Sequence, residues 1–295
     1  MLRPCSKQEF FAHIDFAYGL ASDLKSSGYP TYCDGIKTKA MFVERSLEAF
    51  ERETEDILLF EHEGEVRGLI HYYLLPEERY LSTAAFCVGT ATEQALAEFL
   101  SFAGERFPGC DLYLGFPAEN VSAVTFLAQH GFECIESACN NTAFLDVCNA
   151  ETSGGIIRIG RENYGLFREL HAEVEDDMYW NSERMLGTLD RWVILAKEEG
   201  GALSGAVYYT EVGDGWFEIF GVDTKCGAYD HGLFTELLSA AEADAKRRNG
   251  RVMTFFCDDG TEPAAQECGF VCVGNYRCYK THLGSDKSNP TEENK

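Results

Sequence analysis

Apolar residues recur along the chain in two rhythms. Ile57-Leu58-Leu59-Phe60 and Gly68-Leu69-Ile70-His71-Tyr72-Tyr73 are short apolar runs parted by Glu61-His62-Glu63-Gly64, and they predict a β-hairpin turned by acidic residues and glycine. Val193-Ile194-Leu195-Ala196, Lys197-Glu198-Glu199-Gly200 and Gly205-Ala206-Val207-Tyr208-Tyr209 repeat that pattern. Helical spacing predicts helices near residues 6–24 and 39–53 before the first hairpin, and near 161–174 and 181–189 before the second. After the first hairpin come a strand, Leu81 to Val88, a helix opened by a capping box with Thr90 as N-cap and ending near Phe107-Pro108-Gly109, and a strand, Asp111 to Phe116. Lys25 to about Thr38 is rich in turn residues and aromatics, and predicts a loop.

The rhythms repeat in register. From Gly68 to Gly131-Phe132 is 63 residues, and from Gly205 to Gly269-Phe270 is 64. Agreement at both ends of such an interval implies a tandem duplication. Two domains are expected, 1–150 and 151–283, followed by a polar tail, 284–295, with no apolar anchor and an expectation of disorder.

Trp216-Phe217-Glu218-Ile219-Phe220-Gly221-Val222-Asp223 reads as a strand, Thr224 to His231 as a polar loop, and Gly232-Leu233-Phe234-Thr235-Glu236-Leu237-Leu238 as a helix start. The first turn of a helix carries unpaired N–H groups at the positive end of its dipole, so an anion docks there readily. Gly227 and Gly232 let backbone come close to it.

Composition narrows the partners. A formal charge of −24 argues against a nucleic-acid backbone and against an anionic membrane surface, and suits a cationic amine. No run of about 18 apolar residues occurs and the N-terminus has no signal-like apolar core, so the cytoplasm is the expected location. The twelve cysteines stand singly, the tightest group being Cys268, Cys272 and Cys278, and no histidines form a ligand pair. Zinc ligands usually come as close pairs, so no metal is expected; most of the thiols read as small buried residues, with Cys226 or Cys257 as the reactive candidate.

Two stretches carry a family resemblance. The strand-loop-helix resembles the cofactor motif of the GNAT superfamily of CoA-dependent N-acyltransferases, R/Q-x-x-G-x-G/A, with Val222 ending the strand, Gly232 at the first glycine and Leu237-Leu238 as the leucine pair. Tyr229 stands in place of Arg or Gln, and Phe234 in place of the second small residue. Asn120-Val121-Ser122-Ala123-Val124-Thr125-Phe126-Leu127-Ala128-Gln129-His130-Gly131-Phe132 resembles the second signature, N-x-x-A-x-x-F-Y-x-x-x-G-F, lacking only the tyrosine; the other copy has Asp258 and Ala265 at the Asn and Tyr positions. The resemblance implies an α+β fold of two tandem GNAT-like domains, each a mixed, mostly antiparallel sheet flanked by helices. It also implies acetyl-CoA as co-substrate.

By the same resemblance, the cofactor contacts are Val222, Gly227, His231, Gly232 and Leu233, with Asn120 and the strand before it as contacts for the pantetheine arm. Glu218, four residues before Val222, stands where many members keep a general base, and the first copy has Ala84 there, which favours the second half as catalytic. On its residues alone Glu218 equally suits a strand position that meets solvent or a lysine. Tyr229, or Tyr208 or Tyr209 on the hairpin, could protonate a departing thiolate, and each also suits core packing. Asp223 reads as a turn or helix-capping residue. Acceptor choice in the family lies between the first two helices, here Glu175-Asp176-Asp177-Met178-Tyr179-Trp180-Asn181. Asp176 and Asp177 beside Tyr179 and Trp180 would hold a cationic amine by charge and cation–π contact, and a solvated loop anchored by Trp180 accounts for them as well. The expected function is transfer of an acetyl or other acyl group to a primary amine of a small molecule or peptide. The alternative is a degenerate, non-catalytic GNAT-fold protein that binds a metabolite or a protein partner.

Overall fold

A computed structural model describes residues 1–146, 154–175, 178–258 and 260–284. The boundary expected near 150 and the tail beyond Gly284 lie outside the described residues, as do Asp176 and Asp177. The chain forms two compact units, Met1–Ser137 with the segment from Gly274 onward, and Ala138–Val273.

In the first unit the sheet is built from β1 (Leu2–Pro4), β2 (Glu55–His62), β3 (Glu65–Leu75), β4 (Tyr80–Val88) and β5 (Asp111–Pro117). These pair in that order, antiparallel except for β4 with β5. Helices α1 (Lys7–Ala21) and α2 (Lys39–Glu48) cover one face through Phe10, Ala17, Phe42 and Leu59; α3 (Thr92–Arg106) and α4 (Val121–Gln129) cover the other through Phe86, Phe99, Leu114 and Leu127. The expected hairpin turns at Glu63 and Gly64, both left-handed. Ser6 caps α1 in a reciprocal box with Glu9, and Thr38 caps α2. Helix α3 departs from expectation. It begins two residues after Thr90, with left-handed Ala91 as N-cap and no side-chain cap, because the chain must turn sharply out of β4 at φ 58°.

The second unit repeats this plan with β7 (Ile156–Arg158), β8 (Trp192–Glu199), β9 (Ala202–Gly213), β10 (Trp216–Thr224) and β11 (Val252–Cys257), the β10–β11 pair again being the parallel one. Helices α5 (Tyr164–His171) and α6 (Ser182–Gly187) cover one face; α7 (His231–Arg247) and α8 (Glu262–Glu267) cover the other. Each copy's last helix ends the same way. Gly131 and Gly269 adopt left-handed φ of 75° and 93°, and Phe132 and Phe270 turn back to bond the carbonyls of Leu127 and Ala265.

The last strand of each copy completes the other unit. Residues 139–144 of β6 (Glu133–Phe144) pair antiparallel with β11 of the second unit, and residues 276–282 of β12 (Val271–His282) pair antiparallel with β5 of the first.

The parted strands and the candidate acyl-transfer site

Both parallel pairs come apart. Strand β4 bonds β5 only over Tyr80–Ser82, and β10 bonds β11 only over Trp216–Ile219, each next to a bulge in the neighbouring pairing.

In the first unit the protein fills its own gap. Gly28 N–H donates to the Phe86 carbonyl at 2.7 Å, Val88 N–H to that of Ser26 at 2.9 Å, and Tyr29 N–H to that of Gly115 at 2.9 Å. The loop expected over 25–38 therefore supplies a segment, Ser26–Tyr29, that bridges β4 and β5. A Cβ on Gly28 would meet the Phe86 Cβ at 2.9 Å and the Gly115 carbonyl at 3.1 Å, so only glycine passes there. Asn120, buried, caps α4 by accepting from Ala123 N–H and donates its amide to the Ser27 carbonyl at 3.1 Å. Its donor thus holds this inserted segment.

The second gap is different. Among the described residues, no backbone hydrogen bond joins the α5–α6 connector to β10 or β11. Phe220 is exposed and Gly221 and Val222 are half-buried, with Val222 packed on the α7 core. Gly221 lies under Tyr208, whose hydroxyl oxygen stands 2.1 Å from where a Cβ would be.

At the mouth of this gap, Lys225–Gly227 form a tight turn in which Cys226 and Gly227 are both left-handed. Asp230 is the N-cap of α7, its carboxylate accepting from Leu233 N–H at 3.0 Å, and Glu173 accepts from Cys226 N–H at 2.6 Å. Among the described residues, no acceptor takes the N–H groups of Tyr229, Asp230, His231 or Gly232. A Cβ on Gly232 would find only Asp230 Oδ1, at 3.5 Å. Phe234 turns inward and is buried in the α7 core, with one side of its ring against Tyr229, 5.0 Å between centroids. Tyr229 is exposed; its hydroxyl meets His231 Nδ1 at 2.9 Å, and His231 Nε2 meets Glu267 at 2.7 Å. Burial, then the nearby Asp258, Glu267 and Asp230 carboxylates, push the Tyr229 phenol above its ordinary value, so it keeps its proton.

The segment that follows α5 packs against the end of β10. Asp223 is not a cap, because Asp230 has that place. Asp223 is buried, and its carboxylate meets His171 Nδ1 at 2.7 Å, while His171 Nε2 meets the Trp180 carbonyl at 3.0 Å. Burial pushes Asp223 up, with His171 opposing it; burial alone would push His171 down, but Asp223 and the Trp180 carbonyl more than offset that. The pair therefore keeps one proton between its members to higher pH than a free imidazole does. Tyr208, raised chiefly by burial, also bonds Asp223, whereas Tyr209 donates to Asp244 of α7 at 2.6 Å. The position of His171 was legible as the fourth residue after Phe167 on a helix; its partner, 52 residues on, was not.

Tyr179 and Trp180 already bear cations. The Arg184 guanidinium lies 4.2 Å from the Tyr179 ring centre and that of Arg191 5.0 Å from Trp180. Trp180, Trp192 and Phe220 make edge contacts in series, 5.3 and 5.1 Å between centroids. Glu218 is half-buried on β10, in register with Thr210 and Thr254. Cys257 is buried, which pushes its thiol up to about 12, the opposite of a reactive thiolate; Cys226 is exposed.

No family model and no curated protein matches the chain. Solved structures do. A GCN5-related N-acetyltransferase from Sphaerobacter thermophilus aligns over 97% of this chain and 96% of its own, with a TM-score of 0.64 at 15% identity. A tandem GNAT protein from the clavulanic acid biosynthesis pathway aligns over 97% and 99%, with a TM-score of 0.52 at 13% identity. The GCN5-related glucosamine N-acetyltransferase region of a fungal multi-domain GH3 β-N-acetylglucosaminidase gives 0.57 at 10% identity, over 95% of this chain and 38% of that one. The fold is that of tandem GNAT proteins. No helix among the described residues is long and apolar enough to cross a membrane.

Proposed function

We propose that the chain is an N-acyltransferase that moves an acetyl or other acyl group from acetyl-CoA to a primary amine of a small molecule or peptide, with the second unit as the working half. The observation that carries this is the parting of β10 from β11 after Ile219 and Phe255, with the adjoining helix start holding four amide donors in sequence. These groups suit the two ends of the co-substrate: open strand backbone suits a pantetheine arm, and the N–H groups of Tyr229 to Gly232 suit a pyrophosphate. Bound acetyl-CoA supplies an activated thioester carbonyl.

The chain's own residues have the rest of the work. Attack forms a C–N bond and breaks the C–S bond, which leaves one proton to remove from the amine and one to give to the thiolate. Glu218 takes the first, directly or through water. The second comes from Tyr208, whose hydroxyl lies over Gly221 on the parted strand, or from water, because Tyr229 stands with the pyrophosphate donors at the other end of the co-substrate from its sulfur. The cytoplasm, where thiols stay reduced, suits this chemistry and the twelve cysteines.

A second reading has its own observation. Asp230 and Glu173 place carboxylates on two amides of the loop, and Asp258 and Glu267 stand close by. Negative charge there opposes a pyrophosphate, and favours a non-catalytic protein that binds a metabolite or a protein partner. Isothermal titration with acetyl-CoA separates the two. A single site of micromolar affinity, about −8 kcal/mol, is expected for the enzyme and licenses a screen of amine acceptors. Absence of binding at millimolar ligand retires the acyltransferase.

A further inference from the structure

Cys139, Cys272 and Glu262 lie far apart in the sequence, on β6, on β12 and in the first turn of α8, all within the second unit. Folding gathers them so that the two sulfurs and a carboxylate oxygen lie within 4.8 Å of one another. A tetrahedral zinc ion with Zn–S of about 2.3 Å and Zn–O of about 2.1 Å spaces its ligands by roughly 3.5 Å. Side-chain rotation covers the difference. We propose that Cys139, Cys272 and Glu262 form a zinc site, a set of three protein ligands with a fourth position for water.

The surroundings are those of a coordinating cluster. Cys257 is opposite Cys139 in the β6–β11 register. Asn141, fully buried two residues further along β6, donates its amide to Cys257 Sγ at 3.2 Å and to the Cys139 carbonyl at 3.1 Å, and its Oδ1 has no hydrogen-bond partner among the described residues. Gln266 donates to Glu262 Oε1 at 3.1 Å, which orients the carboxylate beside the Cys139 thiol that it also bonds. Cys139 is buried and Cys272 is at the surface, so the cluster has a closed floor and an open entrance. Two thiolates and a carboxylate favour zinc over magnesium or calcium, which prefer oxygen alone. Binding is balanced by release of one proton from each thiol, and the three negative ligands then face the two positive charges of the ion. The ion would tie α8 to both β6 and β12.

The test uses the untagged full chain, stripped with a chelator and dialysed. Zinc is titrated in competition with a chromophoric chelator, and cobalt(II) is added to a second sample. One zinc per chain, two protons released, and a cobalt spectrum with sulfur-to-metal charge transfer and intense tetrahedral bands are expected. Cys272→Ser, at the surface, should lose the stoichiometric ion and the charge-transfer band while keeping the circular dichroism of the parent, and Glu262→Gln should weaken binding; Cys226→Ser should do neither. Retention of full zinc binding by both Cys272→Ser and Cys139→Ser overturns the site. So does a stripped, reduced parent that takes up no zinc, or a Cys139–Cys272 disulfide as the stable state under reducing conditions.

Discussion

The two units begin from one plan and end with different gaps. In the first, the extra length between α1 and α2 puts Ser26–Tyr29 between β4 and β5, and Asn120 holds it there. In the second the shorter connector leaves the parted strands uncovered by any such bridge among the described residues, and Asp258, in the Asn120 position, only accepts, from the N–H and hydroxyl of Thr261. The better-kept helix signature therefore marks the unit whose gap is already filled. A motif that holds an extended chain does so whether that chain is a ligand or the protein itself.

The buried acid–base pairs differ as well. In the first unit Glu55 meets His71 at 2.8 Å but is also gripped by Arg45 and Arg52, at 2.5 and 2.7 Å. Burial opposes ionisation, yet His71 and the two arginines hold Glu55 well below the usual carboxylate range; burial also lowers His71, which is then neutral. Among the described residues Asp223 has no such arginine clamp, and its pair keeps the proton. Similar residue types thus give an acid-sensitive contact in one unit and a base-sensitive one in the other.

The comparison can be broken at several points. The largest effect is expected at Glu218. With an acceptor in hand, Glu218→Gln should lower kcat by about 10²- to 10⁴-fold, whereas Ala84→Ser in the first unit leaves it unchanged; a rate profile for Glu218→Gln that matches the parent from about pH 6 to 9 removes Glu218 from the role of base.

Next is His171→Leu, which strands a buried carboxylate and should cost about 3–5 kcal/mol in denaturant unfolding. Its pH dependence carries the sign. A pair whose pKa is raised on folding contributes fully below about pH 6.5, and its contribution falls as pH rises through the folded value. His171→Leu should remove that basic-side decline. Glu55, depressed on folding, contributes above about pH 4.3 and is lost as pH falls through its folded value; Glu55→Gln should flatten the acid limb alone.

Asn120→Ala removes a helix cap and the bond to Ser27, a loss of about 2 kcal/mol, against about 1 kcal/mol for Asp258→Ala, which removes only the hydrogen bonds from Thr261. Equal losses would mean that the Ser27 contact does not distinguish the units. The smallest effect is at the loop. Asp230→Asn keeps a good N-cap and removes a charge, so it should tighten acetyl-CoA by roughly twofold to fivefold, more at low salt than at high. A weaker affinity would show that the carboxylate is not what opposes the phosphate.

Much of this was legible along the chain. The paired hairpins, the Gly-Phe turns and the strand-loop-helix follow from local periodicity and from glycine's freedom at positive φ, which neighbouring residues alone decide. Phe234 illustrates the limit: its place in the motif suggested bulk at the phosphate, but helical phase turns it into the core. Tyr179 and Trp180 illustrate another, since an aromatic pair seeking a cation finds Arg184 and Arg191 of its own chain, and no spacing rule announces that.

The repeat, the element types and the class of fold follow from the residue pattern, because those rest on contacts within a few residues and on the burial of one face. Which gap is filled, which carboxylate keeps a proton and which thiols meet are settled by folding. Those outcomes depend on pairs 52 to 133 residues apart, His171 with Asp223 and Cys139 with Cys272, brought together by strand pairing and helix packing whose geometry no local pattern encodes.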